Sequence, residues 1–501
     1  MKNDNSICER AALTAARAVK RFSLPISATL IFGLMAHMYA FSNKLINADE
    51  TAALFSKGAT LTSGRWGLEL SKLLFPDVSM PWIYGILSLI FVAAAVCFAI
   101  DAFRIENRLS QFLLGGCFAV FPALTGNFCY MFTSTAYALA ILLAAASVWL
   151  FGRGGLWRSI AGCALLAVSI AVYQSYIAIA ASFCVLLLIE RLMDSDSTVR
   201  EVLRRGTYFL AMLLLSLVLY YAVTFIIEST INSGYQNYEV TAEKSLVHSF
   251  LTAYSAFVRT FVSGYFGYVN SGLSMIAHFA CAAVILYAVS VNLLHQKNRE
   301  KAVLMLVLLL VYPLSVNCIY LIASVDIIHS LVLFSFSSFY IFAAFAAEHT
   351  ESKARIIKDI SALSVACIIV CNIFFANKAY LKMYLEYENA YAYYNTLMAQ
   401  IMDTPGFEKY TIIDIVGNTD CGITHFPQLD TAGFTGPNED LVNTYTRVSF
   451  IKYYLGLDLF MYREDEVLNA DWYEDMPCYP AEGSIVYRAE ENQNRIIVKL
   501  G

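Results

Sequence analysis

Apolar residues along this chain gather into long runs separated by short polar stretches. Eleven runs stand out, at about residues 23–42, 81–102, 109–126, 129–151, 158–173, 175–192, 206–227, 271–294, 302–323, 329–347 and 356–376. A helix of about 20 residues crosses a bilayer core of roughly 30 Å, so the pattern predicts a polytopic α-helical membrane protein with about eleven transmembrane helices. Between runs 7 and 8, the segment 228–270 carries aromatic and small residues at helical spacing, which predicts a helix lying in the membrane interface. The last run gives way to a polar tail, residues 377–501. There Tyr380, Tyr384, Tyr387, Tyr391 and Tyr394 recur at spacings of four and three, one stripe of a helix continuing from the final run and read as packing. Tyr410–Val416 reads as a buried strand, 446–455 as a helix and 496–500 as a closing strand, so the tail is expected to be a small α/β domain.

Composition agrees with this pattern. The chain is 58% hydrophobic and 15% charged, against about 25% charged in soluble domains. The net charge of −5 says little about partners when most of the surface faces lipid. The lysines and arginines are informative about orientation. With the N-terminus inside, the inner segments and their flanks hold nineteen, while the outer loops before the tail hold six: Lys44, Lys57, Arg65, Lys72, Lys244 and Arg259. The positive-inside rule then makes residues 1–22 a basic cytoplasmic segment and puts the tail outside the membrane. The first run is longer than a signal core and lacks a clear cleavage site, so it is read as a retained span. The expected organisation is residues 1–22, a membrane domain over 23–376 with outer loops 43–80 and 228–270, and an extracytoplasmic domain over 377–501. Ten of the twelve cysteines fall in the N-terminal segment or the spans and read as small apolar filler. Cys421 and Cys478 lie in the tail, where a disulfide between them is left open.

Function follows from the loops. The inner loops are short, with no room for a nucleotide-binding domain and no Walker-type phosphate loop. Asp194-Ser-Asp196 has the spacing of a metal-binding Asp-x-Asp pair, but it sits in a loop of about a dozen residues and reads as a solvated acidic turn. The outer loops hold more. Asp49 and Glu50 follow the first run in "NADET". A carboxylate near the headgroup level is partly desolvated, which raises its pKa toward the range of a general base. Asn47 or Asp49 can also cap a short helix, and the two roles are compatible. Arg65 lies in "SGRW"; arginine grips phosphate through two parallel contacts, and Trp66 favours the interface.

Further polar residues fall on the same side. They are Gln174 and Tyr176 in the turn between runs 5 and 6, Asn127 between runs 3 and 4, Asp326 and His329 before run 10, and Lys244, His248 and Arg259 in the large loop. Their convergence favours an outward-facing site. Within the spans, His37 and His278 read as buried structural histidines, and the lack of deep carboxylates weighs against proton-coupled transport.

The run of motifs "NADET", "GRW", "SMPWIYGILSLIF", "FPALTGNFCYMFTSTAYALAI" and "VYQSYIAIAAS" resembles the bacterial glucosyl transferase II family, the phage-type O-antigen glucosyltransferases. The resemblance is strong over about 45–190 and looser over the remaining spans. It implies a glycosyltransferase C type fold in the bacterial cytoplasmic membrane. It further implies transfer of a single sugar, typically glucose, from a polyprenyl-phosphate donor to a cell-envelope glycan. The catalytic acid maps to Asp49 with Glu50 beside it. Two departures stand out: Ala48 replaces a histidine common in the family, and Ser134 and Thr135 stand where many relatives carry an acid.

The expected site is thus Asp49 and Glu50 for catalysis, Arg65 and Arg259 for the donor phosphate, and Trp66, Gln174, Tyr176 and His329 for sugar or acceptor. No cofactor is required, since arginine can neutralise a monophosphate leaving group; a divalent metal is left open. Donor lipid, glycan and bilayer are the expected partners, and nucleic acid is not. The alternatives are a flippase or exporter of a lipid-linked glycan, which needs no base, and a glycan polymerase, disfavoured by the few outer arginines.

Overall fold

The computed structural model describes residues 13, 16–194, 197–234, 245–265, 268–296, 298–322, 329–350, 355–419, 429, 441–461, 470–489 and 493–501. The chain is mostly helical and forms two compact units. The first comprises Met1–Ser42, Ala59–Pro76 and Met80–Asn377; the second comprises Asn43–Gly58, Asp77–Ser79 and Lys378–Gly501. The outer loop 43–80, expected to belong wholly to the membrane domain, is therefore divided between them.

Eight helices among the described residues are long and apolar enough to cross a membrane. Of the other three predicted runs, Leu156–Val172 has 17 residues. Arg299–Val316 opens on three charged residues, contains Pro313 and precedes the short helix Ile319–Ile322. Residues 329–347 begin as a 3-10 turn, Ser330–Ser337, before the helix Ser338–Glu348. The segment 228–270 does contain a helix, Leu246–Val262. It packs against Gly272–His295, Arg299–Val316 and Ile319–Ile322, and Asn317 Nδ2 donates to the Ala253 carbonyl at 2.8 Å. Lys244, Asp326 and Asp196 lie outside the described residues.

One predicted boundary shifts slightly. Asn127 lies inside the helix Pro122–Cys129, and the junction of the third and fourth spans falls just after it, at Tyr130; a second break, at Val120–Phe121, separates Arg108–Ala119 from Pro122 within the third span. Proline suits the first turn of a helix but cannot continue one, because it lacks an N–H and its ring clashes with the preceding turn. His37 Nε2 donates to the Ala119 carbonyl at 2.8 Å, satisfying a group that the break leaves without a helical partner. His278 bonds the Tyr340 hydroxyl at 2.9 Å. Both histidines are buried, as the structural reading expects. Helix Pro81–Ala102 packs along Met131–Arg153 and Ser23–Ser42. Gly85 lies against the Phe41 ring, where a Cβ would come within 2.2 Å of the ring; small residues let membrane helices approach this closely.

The second unit is built on a three-stranded sheet. Strand Asn494–Lys499 is central, parallel to Ile412–Val416 and antiparallel to Ile485–Ala489. The strand 485–489 was not anticipated; its residues are half-buried along an edge and carry no continuous apolar run. Helix Arg447–Tyr453 and the far half of the 48-residue helix Arg355–Met402 cover the sheet. Tyr394, Leu397, Ile401, Ile413, Phe450 and Ile496 form the core together with Ile46 from the outer-loop segment. Tyr380 and Tyr394 are fully buried, so at these positions the tyrosine stripe packs. Cys421 lies outside the described residues, and Cys478 is a free, exposed thiol.

Candidate functional site

The acidic pair belongs to the second unit. Ile46 anchors the segment in that unit's core, and Asn47 caps the short helix Ala48–Ala52, its side chain accepting from the Glu50 amide at 2.8 Å. Asn47, not Asp49, is thus the cap. Successive helical residues point about 100° apart, and the two acids diverge. Glu50 is fully buried, with its carboxylate accepting from the Lys44 ammonium and the Ser79 hydroxyl. Lys44 and Ser79 are themselves 3.0 Å apart, and the Ser79 amide donates to the Leu54 carbonyl at 3.1 Å. Asp49 is half-buried. Tyr454 completes the surroundings of Glu50: burial first, then the Glu50 charge, pushes its phenol well above the usual tyrosine range.

The "SGRW" motif belongs to the first unit. Gly64 takes the left-handed conformation at φ +69° that ends the turn Leu61–Ser63, and Arg65 precedes the helix Trp66–Ser71. Gly67 follows because the loop lies on the end of helix Leu156–Val172: a Cβ there would sit 2.6 Å from the Val172 amide nitrogen. Gln174 fastens the same loop, donating to the Ser63 carbonyl at 2.7 Å and the Tyr220 hydroxyl at 3.2 Å. Tyr220 in turn donates to the Gly64 carbonyl at 3.1 Å. Trp66 stacks on Tyr220 and donates to the Thr224 hydroxyl at 3.2 Å, so it is a member of the scaffold.

Held this way, the Arg65 guanidinium lies over the Tyr173 ring, 4.5 Å from its centre. Tyr173 meets Tyr137 and Tyr176 edge-on or tilted, and Tyr176 accepts from Asn127 Nδ2 at 3.3 Å. Tyr130, at the junction between helices Pro122–Cys129 and Met131–Arg153, bonds His329 Nε2 at 3.0 Å. Around this cluster the Thr125 and Ser175 hydroxyls and the side-chain carbonyls of Asn127 and Gln174 are buried without a protein hydrogen-bond partner. Buried polar atoms are nearly always matched, so atoms left this way are suited to hydroxyl groups of a ligand or to water. Ser134 bonds back to the Met131 carbonyl at 2.9 Å and Thr135 to the Tyr84 carbonyl at 3.3 Å, both buried. Arg259 stands exposed in the last turn of Leu246–Val262, in an element apart from the Arg65 loop. Among the described residues no three or more His, Cys, Asp or Glu are grouped to hold a metal ion.

Residues 38–347 match the family model for glucosyl transferase GtrII. The chain belongs to the glucosyl transferase GtrII family. No curated protein and no solved structure matches it. The match takes in Asp49, Arg65, Gln174, Tyr176 and His329 and stops before the polar tail. Membership makes this GtrII chain a glycosyltransferase, and its long apolar helices make it membrane-embedded. Sequence reasoning placed Tyr173 in the outer turn "YQSY" without a role, and missed Lys44, Ser79, Tyr220 and Tyr454. Lys44 alone carried a signal, as a lysine within six residues of the acidic pair; the others are ordinary polar residues until the fold assembles them.

Proposed function

We propose that this GtrII protein transfers a single sugar, in keeping with the family glucose, from a polyprenyl-phosphate donor to a cell-envelope glycan on the outer side of the bacterial cytoplasmic membrane. In this reading Asp49 accepts the proton of the acceptor hydroxyl. The oxygen attacks the anomeric carbon as its bond to phosphate breaks, and the configuration inverts. The departing polyprenyl phosphate carries the electron pair, and Arg65 holds that charge. Glu50 is the structural member of the pair, because its carboxylate is already committed to Lys44 and Ser79. Gln174, Tyr176, Asn127 and His329 line the sugar subsite, while Trp66 supports the loop.

The observation that carries the reading is Arg65 on its fastened loop, its guanidinium over the Tyr173 ring, 4.5 Å from the ring centre. A planar fork oriented in advance suits two-pronged phosphate contact. The test uses purified protein in lipid, radiolabelled undecaprenyl-phosphate glucose and envelope glycans, comparing wild type with Asp49→Asn. Transfer by wild type and loss of roughly 10²–10⁴-fold in the variant is expected. Full transfer by Asp49→Asn removes Asp49 as the base. Donor flipping in sealed vesicles without any transfer favours the flippase reading.

A further inference from the structure

Away from these residues, the first unit has a second concavity at the end of its helices that the charge count assigns to the cytoplasm. It has a volume of about 700 Å³ and lies between the turn at Gly152–Gly154 and the start of helix Val199–Ile231. Arg153, Arg191, Arg204 and Arg205 line it, against the single carboxylate of Glu201. Glu201 is engaged in the capping box with Thr198. Asp101 offsets part of the charge by pairing with Arg153 at 2.6 Å, but it also serves Arg21 at 2.7 Å. Arg205 donates to the Gly152 carbonyl and stands within electrostatic reach of Arg191 and Arg104, with Glu190 offsetting part of that charge. Like charges gathered in one cavity repel, and an anion between them relieves that repulsion.

The rim of the cavity shows where the anion comes from. Leu203, Leu210 and Leu214, spaced seven and four apart on one helical face, are each more than half exposed. Leu156 and Trp157, which open helix Leu156–Val172 just after the turn at Gly152–Gly154, are 72% and 80% exposed. Helix Val199–Ile231 is mostly unburied along its apolar length, so this face meets acyl chains, and tryptophan marks the headgroup level. Basic pockets at the cytoplasmic ends of membrane helices suit phosphate headgroups.

We propose that this arginine-lined cavity binds the headgroup phosphate of an anionic membrane phospholipid, with the acyl chains lying along Leu203, Leu210 and Leu214. The site is separate from the sugar-transfer reading and needs no catalytic residue.

Native mass spectrometry of the purified protein, titrated with phosphatidylglycerol, phosphatidylcholine or inorganic phosphate, tests it. Wild type is expected to retain phosphatidylglycerol saturably, phosphatidylcholine much more weakly and inorganic phosphate not at all. Arg191→Gln with Arg204→Gln is expected to weaken retention roughly tenfold or more, since each lost charge-assisted contact is worth about that much. Arg191→Lys with Arg204→Lys keeps the charge and much of the binding. Glu201→Gln preserves the capping box and removes the opposing charge, so it tightens retention about two- to threefold, which keeps the test valid if the double Gln variant misfolds. Equal retention by wild type and the double Gln variant, equal retention of the two lipids, or no gain in Glu201→Gln would overturn the proposal. Binding of inorganic phosphate that displaces the lipid would reassign the cavity to a soluble anion.

Discussion

The Lys44 ammonium closes on the fully buried carboxylate of Glu50, one residue beyond the half-buried Asp49. Two adjacent acids thereby sit in different surroundings. Removing one partner of a buried ion pair strands the other charge and costs about 3–5 kcal/mol. Lys44 keeps 28% side-chain exposure, so Lys44→Met is expected to cost less, roughly 2–3 kcal/mol, seen as a lower Tm. Asp49→Asn is expected to stay within about 0.5 kcal/mol of wild type while losing transfer. A larger loss of stability in Asp49→Asn than in Lys44→Met would reverse this division of roles.

Arg65 and Tyr173 give a second prediction. Lysine lacks the planar fork and the stacking face of arginine. Arg65→Lys is therefore expected to fold normally and lose roughly 10–100-fold in kcat/KM for the donor, about the loss of one or two charge-assisted hydrogen bonds. Tyr173→Phe keeps the ring and most of the activity; Tyr173→Ala does not. Steady-state kinetics on the three variants checks this, and equal activity of Tyr173→Ala and Tyr173→Phe would remove the ring from the account.

Gly67 tests the fastening of the loop. A methyl group there meets the backbone at Val172, which cannot retreat without moving the helix end. Gly67→Ala is expected to cost about 1–3 kcal/mol by overpacking and to depress transfer by shifting Arg65. Thermal unfolding that matches wild type would show the loop has room the geometry denies it.

The same loop carries a pH dependence. Burial opposes ionisation of Glu69, but the Thr60 hydroxyl and the Lys72 ammonium, 2.9 Å away, outweigh it and hold the carboxyl below the usual glutamate range. A depressed folded-state pKa adds stability that is fully present above the unfolded value and is lost as pH falls through the folded one. The wild-type Tm should therefore drop in that acid window, and Glu69→Gln should flatten the drop. An identical acid profile for both proteins would show that Glu69 contributes nothing to it.

Much of this molecule was legible in the order of its residues. Apolar run length predicts membrane helices because a bilayer leaves a buried backbone no partner but itself. The tyrosine stripe and the strands at 412–416 and 494–499 were visible because period and apolarity are local. Asn127 marked the junction of runs 3 and 4 to within a few residues, but the break inside run 3 went unread, because Pro122 sets it through backbone geometry and not through polarity. Family membership was also readable, since the motifs from "NADET" to "VYQSYIAIAAS" lie in the sequence itself.

What only the tertiary structure decided is which partners those residues meet. Asp49 and Glu50 are equivalent as letters; burial of one beside Lys44 and Ser79, 29 positions apart from Glu50 in the latter case, separates them. Arg65 and Tyr173 become neighbours only when Gly67 lets the loop lie on the end of a helix far along the chain. Four arginines dispersed over residues 153–205 form one cavity for the same reason. Spacing along the chain governs local conformation, but charge and hydrogen bonding act through space, and only the packed fold sets those distances.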